Sequence, residues 1–201
     1  MCGRYYIPEE DAAVELAEII DQINRKHNAG PVIKTGEIAP SDTAPVLANN
    51  RNLMVTPFAM KWGYSLDNGR LVINARSEEA AEKSLFRDGM AQRRCLVPAA
   101  HYYEWETVGK QKVKYAIQPA DSSVMYMAGI YRIENGAPVF SILTREPASS
   151  IAFIHDRMPV ILPRDLMNDW LNPRYNANEV LRSAVLDVSH TLAGPRQERL
   201  I

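Results

Sequence analysis

Cysteine occurs twice in this 201-residue chain, at Cys2 and Cys95. Only Cys2 stands where both of its heteroatoms can react. Initiator methionine is usually trimmed before a small residue, and loss of Met1 leaves Cys2 with a free α-amine and a thiol on adjacent carbons. A 1,2-aminothiol condenses with an aldehyde: the amine forms an imine with loss of water, and the thiol closes onto it as a five-membered thiazolidine. The α-amine titrates near pH ~7.7–8.0, so a useful neutral fraction exists at physiological pH. The thiol, near ~8.5, needs modest help to ionise. Taken alone, Cys2 reads first as an arbitrary residue at a frayed terminus, so the chemistry needs partners.

Four segments offer them. Asn74-Ala75-Arg76-Ser77-Glu78 follows an apolar strand; there an amide can donate to a developing oxyanion and a guanidinium can clamp a phosphate. Its plain alternative is a strand-to-helix junction with Ser77 as N-cap. In His101-Tyr102-Tyr103-Glu104-Trp105-Glu106, strand alternation sets Tyr102, Glu104 and Glu106 on one face and Tyr103 and Trp105 on the other. A carboxylate among large aromatics loses solvent and suits proton transfer; the alternative is an edge strand with solvated glutamates. His155-Asp156-Arg157-Met158-Pro159 follows the apolar run Ile151–Ile154. His155 there is a general acid/base, a phosphate ligand, or a capped core histidine. Lys61-Trp62-Gly63 offers a stacking aromatic beside a cation, or simply a buried tryptophan. Cys95 heads an apolar strand and reads as an inert buried thiol.

These side chains need a frame. Pro8, Glu9, Glu10 and Asp11 suit the start of a helix over 8–27, with Leu16, Ile19, Ile20 and Ile23 as its apolar stripe. Strands are expected at 45–48, 53–58, 71–75, 95–98, 101–106, 112–117, 125–133, 139–144 and 185–189. Asn68-Gly69 and Asn135-Gly136 mark hairpins. Helices are expected at 78–83, 84–92, 163–171 and 179–184. The order points to one α+β domain over residues 1–201, whose mainly antiparallel sheets curl into a barrel-like core with flanking helices.

The bulk composition excludes several classes. No apolar run approaches the ~18 residues of a membrane span, and the N-terminus lacks a signal core, so a cytoplasmic protein, or a nuclear one if eukaryotic, is expected; a monomer is expected as well. Two cysteines without CxxC spacing and four scattered histidines argue against a disulfide scaffold and against a metal site; no cofactor is expected. The net charge of −1 does not advertise a nucleic-acid binder. Phosphate contacts would need a local basic surface, drawn from Arg4, Lys61, Arg76, Arg93, Arg94, Lys110, Lys112, Lys114, Arg132, Arg145 and Arg157.

Taken together, the segments resemble the SRAP family, the SOS-response-associated peptidases or abasic-site-processing proteins. The matching stretches are Met1-Cys2-Gly3-Arg4-Tyr5, Thr35-Gly36-Glu37-Ile38-Ala39-Pro40, Met60-Lys61-Trp62-Gly63, Asn74-Ala75-Arg76-Ser77-Glu78, Arg94-Cys95-Leu96-Val97-Pro98-Ala99, Tyr102-Tyr103-Glu104-Trp105, Met127-Ala128-Gly129-Ile130-Tyr131 and His155-Asp156-Arg157-Met158-Pro159-Val160. Each is weak alone; their joint occurrence in family order is specific.

The resemblance implies capture of abasic sites in single-stranded DNA as a covalent thiazolidine through Cys2, with an associated autoproteolytic activity. It implies Cys2, Asn74, Glu104 and His155 as the catalytic set. Cys2 is the nucleophile, Asn74 holds it, Glu104 moves protons, and His155 donates to the sugar hydroxyl or a phosphate. It implies Arg4, Arg76 and Arg157 as phosphate contacts, with Pro40, Trp62 and Thr144 in the DNA-binding region. One departure is clear: many members carry a longer segment with Pro-Ser-Trp after Trp-Gly, whereas Tyr64-Ser65-Leu66-Asp67-Asn68-Gly69 stands here.

Two other functions compete on the same residues. A cysteine peptidase or amidohydrolase would pair Cys2 with His155 as thiolate and imidazolium and needs no DNA. A silent single-strand-binding module would use the arginines without a covalent product, with strong salt dependence.

Overall fold

The structure, a computed structural model, describes residues 2–8, 14–26 and 33–194. The first elements are β1 (Arg4–Ile7), α1 (Val14–Lys26), β2 (Gly36–Ile38), β3 (Thr43–Asn49) and β4 (Val55–Trp62). Next come β5 (Tyr64–Ser65), β6 (Leu71–Val72), β7 (Asn74–Arg76) and α2 (Ser84–Gln92). A run of long strands follows: β8 (Arg94–Ala99), β9 (His101–Val108), β10 (Gln111–Pro119), β11 (Met125–Glu134) and β12 (Ala137–Arg145). The short β13 (Met158–Pro159) and β14 (Ile161–Leu162), then α3 (Met167–Leu171), α4 (Ala177–Arg182) and β15 (Val188–Leu192), complete the order.

Strands β12, β4, β3, β8 and β11 pair in sequence, and β11 pairs back with β12, so five strands close into a barrel. Closure removes free sheet edges. Pairing is antiparallel except where β12 meets β4 and β7, which run parallel to it. A second, open sheet runs β15-β10-β9-β1-β2. Its inner face supplies Tyr5, Ile7, Tyr102 and Ile117 to a core shared with Trp62, Val97, Phe140 and Ile142 of the barrel. A second core forms on the far side of the barrel. There Leu16, Ile19 and Ile23 of α1 join Leu47, Leu96 and Tyr126 in one cluster. Strand β8 is buried along its whole length, as expected of a strand covered on both faces.

The expected α+β class with a barrel core and flanking helices is the one observed. The strands expected between 95 and 144 all form, with ends moved by a few residues. Asn135 and Gly136 both take positive φ, +48° and +80°, as a two-residue type I′ hairpin requires. At the other Asn-Gly pair only Gly69 does, at +78°, and the hairpin there has a longer loop between β5 and β6.

Four expectations fail. The strand expected at 71–75 breaks at Ile73 into β6, which pairs with β5, and β7, which pairs with β12. Residues 78–83 form successive turns, not a helix: the Ser77 N–H bonds the Thr144 carbonyl and Glu78 is drawn to Arg157, so this stretch stays stitched to the barrel. The last strand starts at Val188, not 185, because the Val185 N–H is taken by the Ile161 carbonyl. The 163–171 helix breaks into a 3-10 turn (Arg164–Leu166) followed by α3. The expected α1 start at 8–13 and its end at 27 lie partly outside the described residues. No helix among the described residues is long and apolar enough to cross a membrane.

Candidate functional site

The candidate site lies where the open sheet meets the barrel. β1 is held between β9 and β2, with Tyr5 opposite Tyr102 and Arg4 opposite Tyr103. The antiparallel register therefore carries the chain back from Arg4 toward Cys2 as β9 runs forward toward Glu104. Cys2 is fully buried, and its Sγ donates to the Arg4 carbonyl at 3.7 Å. Burial pushes its thiol far above the ordinary range, and the charge of Glu104 pushes it further.

Asn74 reaches the same residue from β7. Its Nδ2 donates to the Cys2 carbonyl at 2.9 Å. The placement is local in origin: the Trp62 indole N–H donates to the Ile73 carbonyl at 3.0 Å, and Asn74 pairs with Ile142 of β12, so the strand end is fixed on both sides. The remaining Asn74 oxygen, Oδ1, is buried without a hydrogen-bond partner among the described residues, as are the hydroxyls of Tyr5 and Tyr102. Burial raises both phenols well above their usual range, with the Cys2 thiolate next in order as a cause; Glu104 adds to the effect at Tyr102. An unpaired buried polar group costs about 1–3 kcal/mol. Three of them gather around one thiol, an arrangement that packing alone does not explain.

Glu104 is 5% exposed, so the buried alternative is the one realised, on the same face as Tyr102. Its Oε1 accepts from the Trp105 N–H at 3.4 Å. His155 stands on the turn after a 3-10 helix (Ser149–Ile151). Its Nδ1 lies 3.0 Å from the Arg157 N–H and 2.6 Å from Asp156 Oδ1. The first contact needs a lone pair on Nδ1 and the second a proton there, so the two are alternatives. Arg157 ties this turn to the Asn74–Glu78 segment. Its Nη1 and Nη2 donate to Glu78 at 3.0 and 2.7 Å, and Nη2 also donates to the Thr144 carbonyl at 2.7 Å. The Arg157 guanidinium holds the Glu78 carboxyl below its usual range, against the opposing effect of burial.

The expected DNA-binding residues divide. Arg76 is exposed and only loosely paired, its Nη1 3.8 Å from Glu79. Arg4 is half-exposed and donates to Glu37 at 3.1 Å. Lys114 shares that carboxylate at 2.6 Å. Pro40 is half-buried in the turn joining β2 and β3.

Trp62 is a correction. It has no exposed surface and packs between Tyr5 and Phe140, with ring centroids 5.1 and 6.2 Å away, so no face is open to a base. Thr144 is also fully buried, its hydroxyl donating to the Ala75 carbonyl at 3.4 Å; it positions β7 and touches no surface. Arg94 leaves the list of surface cations as well. It is 6% exposed, donating to the carbonyls of Met90 and Tyr175 at 2.7 and 3.0 Å. Sequence reasoning missed Tyr5 and Glu37. Alternation in Arg4-Tyr5-Tyr6-Ile7 could have placed Tyr5 inward beside Ile7; no local signal marks Glu37. Cys95 is buried and free, as expected.

Comparison with known proteins places this geometry in context. A family model described as "SOS response associated peptidase (SRAP)" matches residues 1–193. The abasic site processing protein YoaM of Bacillus subtilis is 32% identical over 199 residues, covering 92% of this chain and 86% of its own. The abasic site processing protein YedK of Escherichia coli is 28% identical, covering 89% and 83%. A crystal structure of a protein from Bacteroides thetaiotaomicron has the same fold, with TM-score 0.76 and 22% identity over 95% of this chain and 91% of that one.

Proposed function

The chain belongs to the SOS response associated peptidase (SRAP) family, and on that premise we propose that it processes abasic sites in single-stranded DNA by covalent capture at Cys2. We read residues 1–201 as one such domain, acting as a monomer in the cytoplasm. The observation that carries the reading is the convergence on Cys2: Asn74 on its carbonyl at 2.9 Å, and buried Glu104 with its charge felt at the thiol.

The ring-opened abasic sugar supplies an aldehyde. With Met1 removed, the Cys2 amine adds to it and water leaves as the imine forms. The thiol then adds across the C=N bond, its proton passing to nitrogen, and the thiazolidine closes. Asn74 fixes the Cys2 peptide so that nitrogen and sulfur meet one carbon. Glu104 takes and returns the protons of addition and dehydration, a role worth roughly 10²–10⁴-fold. His155 donates to the sugar hydroxyl or the adjacent phosphate, and Arg76, with Arg4 and Arg157 once released from Glu37 and Glu78, holds the flanking phosphates. Autoproteolysis is the removal of whatever precedes Cys2, which exposes the amine.

The peptidase alternative draws less support. A Cys–His pair depresses a thiol, whereas burial and Glu104 raise this one.

The test is intact mass after incubation with an abasic oligonucleotide, for protein with and without Met1. The expected product, from the form that begins at Cys2, is the sum of protein and oligonucleotide less one water, and it survives denaturation. Absence of that adduct from the trimmed protein refutes the reading.

A further inference from the structure

Beside the candidate site stands an aromatic cluster that the capture chemistry does not use. Ile151 and Ile154 are buried, at 2% and 5% exposure, and pin the turn that carries His155. The turn is closed by the Ile154 N–H on the Ile151 carbonyl at 2.9 Å and tied to β15 by Ser150 Oγ on the Val188 carbonyl at 3.1 Å. Phe153, between the two isoleucines, points outward and is 52% exposed.

A scattered exposed apolar side chain is ordinary. This one is held. Its ring meets Tyr115 at 5.8 Å and 88°, and His190 at 5.2 Å and 68°. Tyr115 and His190 meet each other at 5.5 Å and 75°. Two edge-to-face contacts fix the Phe153 ring, a third braces its two partners, and part of the ring is left to solvent. Tyr115 in turn donates to Glu106 at 3.0 Å and sits directly opposite Glu104 in the β9–β10 register. The cluster therefore joins the strand that carries Glu104 to the turn that carries His155, two residues beyond Phe153.

We infer that Phe153, braced by Tyr115 and His190, is a stacking platform for a nucleobase flanking the abasic position of the bound single strand. The inference rests on the proposed capture of abasic DNA. An abasic sugar presents no base to read, so recognition must fall on its neighbours and its backbone. A rigid, half-exposed ring binds any base by its π face without reading its edge. Rigidity matters because the stacking energy is not spent on ordering a mobile side chain.

The experiment uses Cys2→Ala protein, so that binding is read without covalent trapping. The probe is a single-stranded abasic oligonucleotide with 2-aminopurine placed in turn on each side of the lesion. The expected result is fluorescence quenching at one flanking position and not at distant ones. Phe153→Ala removes that quenching and weakens affinity roughly 5- to 100-fold, and Phe153→Tyr restores both. Quenching and affinity that survive Phe153→Ala overturn the platform while leaving capture intact. A protein that carries Cys2 yet neither binds nor crosslinks any abasic strand overturns the platform together with the reading beneath it.

Discussion

The surroundings of the two cysteines differ far more than the cysteines do. Both are fully buried, and burial raises both thiols. At Cys95 burial alone raises the thiol, and its carbonyl is occupied by the Trp170 indole N–H at 2.8 Å. Space there is tight: a Cβ on Gly129 would lie 3.0 Å from Cys95 Sγ and 3.1 Å from the Ser141 carbonyl. Around Cys2 stand Glu104 and, with buried polar atoms that lack a partner among the described residues, Asn74, Tyr5 and Tyr102. One thiol is held by apolar packing; the other lies among buried polar groups left unpaired at an energetic cost. Exposure therefore does not separate the structural cysteine from the proposed nucleophile in this fold. Neighbours do.

The most drastic way to break that contrast is deletion of each sulfur. Cys2→Ala should abolish the denaturation-resistant adduct with an abasic oligonucleotide, and Cys95→Ala should keep it; gel shift after denaturation decides. Cys2→Ser, which keeps the amine, should lose the thiazolidine and retain an imine that borohydride traps. Loss of adduct in both alanine variants would erase the distinction.

Glu104→Gln sharpens it. Adduct formation should slow roughly 10²–10⁴-fold. The sign of the pH effect follows from the causes. Burial first, then the Glu104 charge, disfavours the Cys2 thiolate, so removing that charge should move alkylation of Cys2 to lower pH. Alkylation of Cys95, raised by burial alone, should keep its pH profile. Site-resolved mass spectrometry of alkylation against pH measures both thiols at once; parallel shifts would contradict the assignment.

Two stability experiments follow. Trp62→Ala should cost about 3–5 kcal/mol in denaturant unfolding, since its ring fills the core between Tyr5 and Phe140 and braces the Asn74 strand. A variant that lost strand affinity with full stability would return Trp62 to the surface role it is denied here. Gly129→Ala should cost about 1–3 kcal/mol, because the new methyl meets a backbone carbonyl that cannot yield. The effect belongs to the Cys95 side, so adduct formation by the folded fraction should continue.

Much of this was legible in the chain. Period-two patterning gave the long strands from 95 to 144, and the face shared by Tyr102 and Glu104 follows from alternation alone. The positive-φ hairpin at Asn135-Gly136 needs nothing beyond its two residues. Elsewhere local signals misled. Residues 78–83 carry helix-forming types, yet bonds from Ser77 and Glu78 to the barrel hold them in turns. Trp62 beside a lysine looks the same in sequence whether it stacks on a base or on Phe140. Arg94 beside Arg93 reads as a surface cation until its side chain is seen to bond backbone carbonyls around α3.

The sequence by itself determined the parts: two thiols, the strands and their faces, and a family order of motifs specific enough to name a chemistry. Only the tertiary structure decided their relations. Asn74 lies 72 positions from Cys2 in the chain and 2.9 Å from its carbonyl in space. The physical reason is that composition and periodicity are local, whereas barrel closure and the seating of one sheet on another are set by pairings between distant strands. Those pairings turned one buried sulfur into packing and gave the other a carboxylate, a carboxamide and two phenols for company.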